Sequence, residues 1–179
     1  MRHVGTKPIE TPRLVLRRFT PADAEAMYKT WATDPDVARW MRWTPHKNIQ
    51  ETRGYIQSWV DGYANLQSYL WAIERKEDGE LIGSIGIMPG GDGIPEDAFG
   101  PGYNIRRAFW GQGYVTEALG AVIDYFFTHT GVPKLYCCHA TANPASGRVL
   151  QKVGFVPTHS GVYHKYDGTE VPAQYYELL

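Results

Sequence analysis

A glycine-x-glycine turn stands immediately before the most regular helical pattern in the chain. In RRAFWGQGYVTEALGAVIDYFF, residues 106–127, Gly111 and Gly113 precede Val115, Ala118, Leu119, Val122, Ile123 and Phe126. Those apolar residues recur at the i, i+3, i+4, i+7, i+8 and i+11 spacing of one helix face. Glycine costs backbone entropy, so a pair at a helix entrance needs a reason. A helix start carries unpaired N–H groups and the positive end of the macrodipole, and bare backbone there admits a phosphate. A strand-to-helix turn that needs positive φ and binds nothing would use the same residues. Gly131 and Pro133 then end the helix in the usual order.

The segments around this turn set the fold class. TPRLVLRRF predicts a strand over 13–19, with Leu14 and Leu16 (or Val15) on its apolar face. Thr20, Pro21 and Asp23 predict a capped helix that buries Ala24, Met27, Tyr28 and Trp31. A second helix places Ile49, Thr52, Ile56, Trp59, Val60 and Tyr63 on one face. The period then changes to two: SYLWAIER and ELIGSIGIM flank a hairpin turn at Asp78-Gly79. PGGDGIPEDAFGPG, 89–102, predicts a surface loop, and GYNI, 102–105, a strand that runs into the glycine turn. KLYCCHATA predicts a buried strand. NPASGRVLQKVGF predicts a helix capped at Asn143 and ending at Gly154, and the tail predicts a hairpin around Asp167-Gly168. Strands and helices in this order form an α+β domain around a mixed sheet.

Several function classes are excluded or unsupported. With 18 basic and 19 acidic side chains, the chain has no basic field for nucleic acid. No apolar run is long enough to span a bilayer, and MRHVGTKPIE has no apolar stretch of the secretory kind. The adjacent cysteines Cys137 and Cys138 support neither a disulfide nor a zinc site, so the expected setting is reducing and cytoplasmic, with no metal. A Walker loop is absent, and the dinucleotide fingerprint would need glycine where Thr116 stands. No nucleophile elbow marks a hydrolase.

WGQGYVTEAL followed by NPASGRVLQKVGF resembles the GNAT superfamily of acyl-coenzyme A N-acyltransferases, in particular the branch that includes the ribosomal-protein N-terminal acetyltransferases. IETPRLVLRRFTPADAEAMYKTW and the final YYEL resemble the same branch, so the resemblance covers residues 9–179. It implies a single domain over 9–179 with 1–8 as an extension. The implied GNAT fold is a mostly antiparallel twisted sheet of about six or seven strands, with about four helices on its two faces. Two central parallel strands splay apart. The implied activity is transfer of an acetyl group from acetyl-CoA to a primary amine, a protein N-terminus or a small molecule, by direct attack in a ternary complex. A non-catalytic acyl-CoA-binding sensor of the same fold is the alternative, and the chain would be a monomer or homodimer.

By the same resemblance, the coenzyme A pyrophosphate rests on backbone between Gly111 and Thr116, through Gln112, Gly113, Tyr114 and Val115. Arg107 and Trp110 stand at the entrance. Trp110 replaces the commoner Arg or Gln of the family, and Val115 a small residue. The strand at Tyr103, Asn104 and Ile105 pairs the pantetheine arm and offers an N–H to the thioester oxygen. Asn143 touches the pantetheine, and Ser146 is the candidate acid for the departing thiolate. Each also has a local reading, Asn143 as an N-cap and Ser146 as a backbone partner. No base is assigned. Glu117 is a candidate or a solvated carboxylate, and His139 a proton relay or a packed side chain. FGPGY lacks the acid that many members of the branch carry before the strand's GY. Trp40 and Trp43 are open to a substrate role, whereas Trp31 and Trp59 have helical core spacing. Arg39 and Arg42 face solvent or attract an acidic substrate.

Overall fold

The computed structural model describes residues 1–179. Eight strands form one sheet in the order β1-β2-β3-β4-β5-β6-β8-β7. They are β1 (Ile9–Glu10), β2 (Leu14–Arg17), β3 (Tyr69–Arg75), β4 (Leu81–Pro89), β5 (Phe99–Ile105), β6 (Leu135–Ala140), β7 (Val156–His164) and β8 (Glu170–Leu178). The helices are α1 (Ala24–Met27), α2 (Pro35–Ala38), α3 (Ile49–Gly62), α4 (Tyr114–Thr130) and α5 (Pro144–Lys152). The sheet thus has more strands, and its faces more helices, than the resemblance implies. The extra strand is the short β1 at the sheet edge, and the extra helix is the single turn of α2.

Alternation along β2 resolves which residues point inward. Leu14 and Leu16 are fully buried while Val15 and Arg17 are only half-buried. One sheet face packs against α4 and α5, where Ala118, Leu119, Val122, Phe126 and Leu150 meet Leu16, Ile73, Ile85 and Leu135. The opposite face, at Ala72 and Leu81, receives the first three helices through Met27, Trp31, Val37 and Ile56. Burying a large apolar side chain stabilises by about 1.5–3 kcal/mol, so these two layers hold the sheet from both sides.

The first helix is not the uniform one that its spacing predicts. A 3-10 turn at Pro21–Asp23 leads into α1, which widens into a π turn at Tyr28–Ala32. The extra residue in a π turn shifts the inward face. Trp31 and Ala32 are therefore both buried and Tyr28 is left half-exposed. The start agrees with its sequence signal, with the Thr20 N–H donating to Asp23 at 2.8 Å. Trp59 and Val60 of α3 pack against this layer from its margin, whereas Thr52 and Ile56 lie inside it. Residues before β1 lie along β3: the buried Thr6 hydroxyl donates to Ser68 O at 2.9 Å, and Trp71 Nε1 donates to Lys7 O at 2.7 Å.

Only β5 and β6 run parallel, and they pair at a single register position, Phe99 with Leu135. Strand β5 begins at Phe99, earlier than its sequence pattern indicates, because Gly100 lets the two backbones touch. A Cβ at Gly100 would lie 2.1 Å from Tyr136 O. Beyond that point β5 stays paired with β4 as far as Ile105, while β6 follows β8. A wedge opens between them.

Candidate active site

The glycine turn and the open wedge are built from adjacent elements, because β5 runs directly into a 3-10 turn at Arg107–Phe109 and then into α4. Gly111 and Gly113 have φ of 72° and 81°, a left-handed conformation that an L side chain adopts only with strain. The backbone N–H groups from Gly111 through Thr116 donate to nothing within the protein; the first committed donor is Glu117 N, to Gly113 O at 3.0 Å. A Cβ at Gly111 would meet nothing within 4 Å, and one at Gly113 only the Arg13 guanidinium at 3.4 Å. A run of free donors at the start of a long helix, without side chains over it, is an anion cradle. A pyrophosphate fits it.

Side chains around the turn hold its shape. Arg13 donates to Gln112 O at 2.9 Å and lies 4.2 Å from the centre of the Tyr114 ring. Glu117 accepts the Thr11 hydroxyl at 2.6 Å, the Arg13 N–H at 2.9 Å and Arg13 Nε at 2.7 Å. Burial pushes the Glu117 carboxyl up, but these donors outweigh it and hold the group below the usual carboxylate range. Glu117 clamps the β1–β2 turn onto α4. Trp110 Nε1 donates to Ile105 O at 2.9 Å and Gln112 Nε2 to Ala108 O at 3.0 Å. Arg107 turns to the other layer, pairing with Asp34 at 3.2 Å and Asp36 at 2.8 Å. The Ile105 and Tyr114 side chains are core, and Val115 packs at its margin, so these three offer a ligand only backbone. Thr116 is half-buried.

Within the wedge the structure brings Tyr103 and Ser146 together. Tyr103 Oη and Ser146 Oγ are 2.8 Å apart, joining β5 to the first turn of α5. Burial pushes the Tyr103 phenol up, so it stays protonated at neutral pH. Asn143 occupies the N-cap position of α5 but its side chain makes no capping bond. Asn104 faces the α1–α3 layer instead, donating to Ser84 Oγ at 2.9 Å, with its Oδ1 buried and unpartnered. His139 is pinned, with Nδ1 2.7 Å from Ala140 O and Nε2 3.1 Å from the Tyr176 hydroxyl. A Cβ at Gly147 would lie 2.6 Å from His139 Nε2, so α5 rests directly on this imidazole. Cys137 reaches across the wedge to Pro101 O at 3.4 Å, and burial pushes its thiol up, out of the nucleophilic range.

The tryptophans separate into two groups. Trp31 lies in the core and Trp59 at its margin. Trp40 packs against Ala140, Tyr163, Ala173 and Tyr175 at the open end of β6, under the Arg39 guanidinium. Trp43 lines a cavity of about 250 Å³ with Tyr55 and Tyr166. Arg42 pairs with Asp92 at 3.1 Å, and both join the His164 backbone. No three His, Cys, Asp or Glu side chains are grouped to hold a metal ion. No helix is long and apolar enough to cross a membrane.

Sequence reasoning passed over Arg13 and the Tyr103 hydroxyl. Arg13 is 99 residues from its partner Gln112, and no local signal announces such a contact. Tyr103 enters the sequence reading only as strand backbone.

A helix that opens on free N–H donors, beside a single parallel strand pair that opens into a wedge, is the arrangement that the GNAT resemblance implies. Residues 13–156 match the acetyltransferase (GNAT) domain family, and the chain belongs to that family. It is an acyl-CoA N-acyltransferase by membership. It is 30% identical over 174 residues to the uncharacterized N-acetyltransferase YoaA of Bacillus subtilis, covering 96% of each chain. Among solved structures, a GNAT-family acetyltransferase from Bacillus anthracis superposes with a TM-score of 0.81 at 20% identity, covering 97% of this chain and 98% of that one. RimL, a ribosomal L7/L12 alpha-N-protein acetyltransferase solved with coenzyme A, superposes with a TM-score of 0.80 at 18% identity, covering 97% and 98%. At these identities the two superpositions speak to the fold.

Proposed function

We propose that this chain moves an acetyl group from acetyl-CoA to a primary amine by direct attack in a ternary complex, with residues 9–179 as its one catalytic domain. The observation that carries the reading is the run of uncommitted N–H donors from Gly111 to Thr116 beside the β5–β6 wedge. Acetyl-CoA supplies the thioester. The donors of the glycine turn hold its pyrophosphate, and β5, free on its wedge side past the Pro101 carbonyl that Cys137 reaches, lines the pantetheine and donates an N–H to the thioester oxygen. Such a donor lowers the barrier by about 3–4 kcal/mol. The uncapped Asn143 side chain reaches the pantetheine amides.

Ser146 Oγ–H protonates the departing thiolate, the Tyr103 hydroxyl 2.8 Å away passes its proton to Ser146, and a proton from solvent restores the Tyr103 hydroxyl to close the cycle. As the amine nitrogen bonds to the carbonyl carbon, the C–S bond breaks and the amine sheds one proton. Glu117 and His139 are both committed to structural hydrogen bonds, so that proton leaves to solvent through the open end of the wedge. The ribosomal-protein acetyltransferases among the superposed structures support a protein N-terminus as one acceptor class. The test is free-thiol release from acetyl-CoA with a panel of alkylamines and peptides, and mass spectrometry of the acceptor. Release that requires an amine and yields an acetamide is expected. Saturable acetyl-CoA binding with no release across the panel would establish the alternative, a sensor.

A further inference from the structure

The cavity at Trp43 is not used by the chemistry above. It is lined by Trp43, Thr44, Glu51, Tyr55, Tyr166 and Asp167, and it is open to solvent on the side of Tyr166. Neither carboxylate meets a cationic side chain. Glu51 accepts the Lys47 backbone N–H at 2.8 Å, and Asp167 the Thr169 backbone N–H at 2.9 Å. Lys165, whose charge adds to the Thr169 hydrogen bonds in holding the Asp167 carboxyl below its usual range, donates through Nζ to Arg39 O at 2.8 Å, and Arg42 pairs with Asp92. His46, stacked on Tyr55 with ring centres 5.0 Å apart and an interplanar angle of 8°, is buried and bonded to Thr52 at 2.7 Å. Burial holds that imidazole below its usual range, so it adds no positive charge at neutral pH.

Two carboxylates without an ion-pair partner and three aromatic residues in one concavity select a positive group, because the face of an aromatic ring attracts cations. A hard metal ion would need about six oxygen ligands, which this lining does not offer. An organic ammonium fits both halves of the wall. The cavity also continues the wall of the wedge. Trp40 packs against the cluster that holds Ala140 of β6, the Tyr163 hydroxyl donates to Trp40 O at 2.8 Å, and Tyr166 N donates to Arg42 O at 2.9 Å. Residues 38–43 and the β7–β8 turn therefore form one surface from the open end of β6 to the cavity.

We infer that this cavity binds a second cationic group of the acceptor, an alkylammonium carried on an extended chain whose other amine enters the wedge. The inference rests on the acetyltransferase reading and adds the acceptor's chemistry to it. Its test begins without acetyl-CoA. Binding of a series of α,ω-diamines and of the matching n-alkylamines is followed by calorimetry and tryptophan fluorescence. A peptide with lysine near its N-terminus and its norleucine counterpart distinguish a peptide-borne ammonium from a free diamine. About tenfold tighter binding of the doubly charged member of a pair is expected. That preference is lost in the Glu51→Gln, Asp167→Asn double variant, whose amides still accept the Lys47 and Thr169 N–H groups. Equal binding of charged and neutral partners by the intact protein overturns the inference, as does a preference that survives in the variant. A charge preference in binding with no acetylation of any amine upholds the cavity and overturns the acetyltransferase reading.

Discussion

Replacing Gly111 by Asp and by Asn isolates the charge at the glycine turn. Both side chains have the same shape, and both tolerate the left-handed backbone that φ of 72° demands. A Cβ at this position meets nothing within 4 Å, so neither substitution creates a clash. Gly113 is the poorer choice, because a carboxylate there would sit beside Arg13 and be partly neutralised. Two unit charges ~5 Å apart at an effective dielectric of about 20 repel by about 3 kcal/mol. Discounted for the exposure of the turn, a penalty of about 2–3 kcal/mol corresponds to about 30- to 150-fold weaker binding. Calorimetric titration with acetyl-CoA is the assay, and acetyl-pantetheine, which lacks the pyrophosphate, is the control ligand. Gly111→Asn is expected to bind acetyl-CoA within a few-fold of the native chain and Gly111→Asp in the weakened range. The difference should shrink at ~1 M salt, where the Debye length is about 3 Å, and vanish for acetyl-pantetheine. Equal affinities of the Asp and Asn variants for acetyl-CoA would refute the cradle.

Three other outcomes follow from the same geometry. Ser146→Ala and Tyr103→Phe should each lower kcat by about 100-fold with little change in KM, and the double variant should fall no further, because the 2.8 Å hydrogen bond couples them; steady-state kinetics on all variants checks this. Glu117→Gln should cost about 1–2 kcal/mol at pH 7 in urea unfolding. Because the folded Glu117 carboxyl lies below the usual range, its contribution is full above about pH 4.3 and fades as pH falls through the folded value. The native chain should therefore lose stability on acidification more steeply than the variant. Gly100→Ala drives a Cβ to 2.1 Å from Tyr136 O and must force β5 from β6; a loss of at least about 3 kcal/mol is expected, read by thermal unfolding.

The helix after the glycines was legible because three of its determinants are local: the apolar spacing from Val115 to Phe126, the glycine entrance and the Gly131 stop. Its burial follows that spacing closely, with Ala118, Leu119, Val122, Ile123 and Phe126 inside. Strand β5 was only half legible. Gly and Pro in FGPG read as loop by propensity, yet Gly100 serves the one contact where two strands touch, a fact about Tyr136 and not about its own neighbours. The π turn at Tyr28–Ala32 was hidden for a related reason. Spacing assumes a constant period, and packing of Trp31 and Ala32 under the sheet overrides it.

For the site, the sequence by itself determined what depends on local backbone: a helix with free N–H donors at a glycine entrance, and a second helix opening at Asn143 with Ser146 in its first turn. Tertiary structure alone decided which side chains are committed and which are free. It tied Glu117 to Thr11 and Arg13, His139 to Tyr176, and Arg107 to Asp34 and Asp36, and it set the Tyr103 hydroxyl against Ser146. It also parted Trp40 from Trp43, packing one against β6 and setting the other in a cavity with two unpaired carboxylates. The physical reason is range. Backbone donors at a helix entrance are fixed by residues a few positions away, whereas a side chain's hydrogen bonds are settled by partners that only the closed sheet brings near.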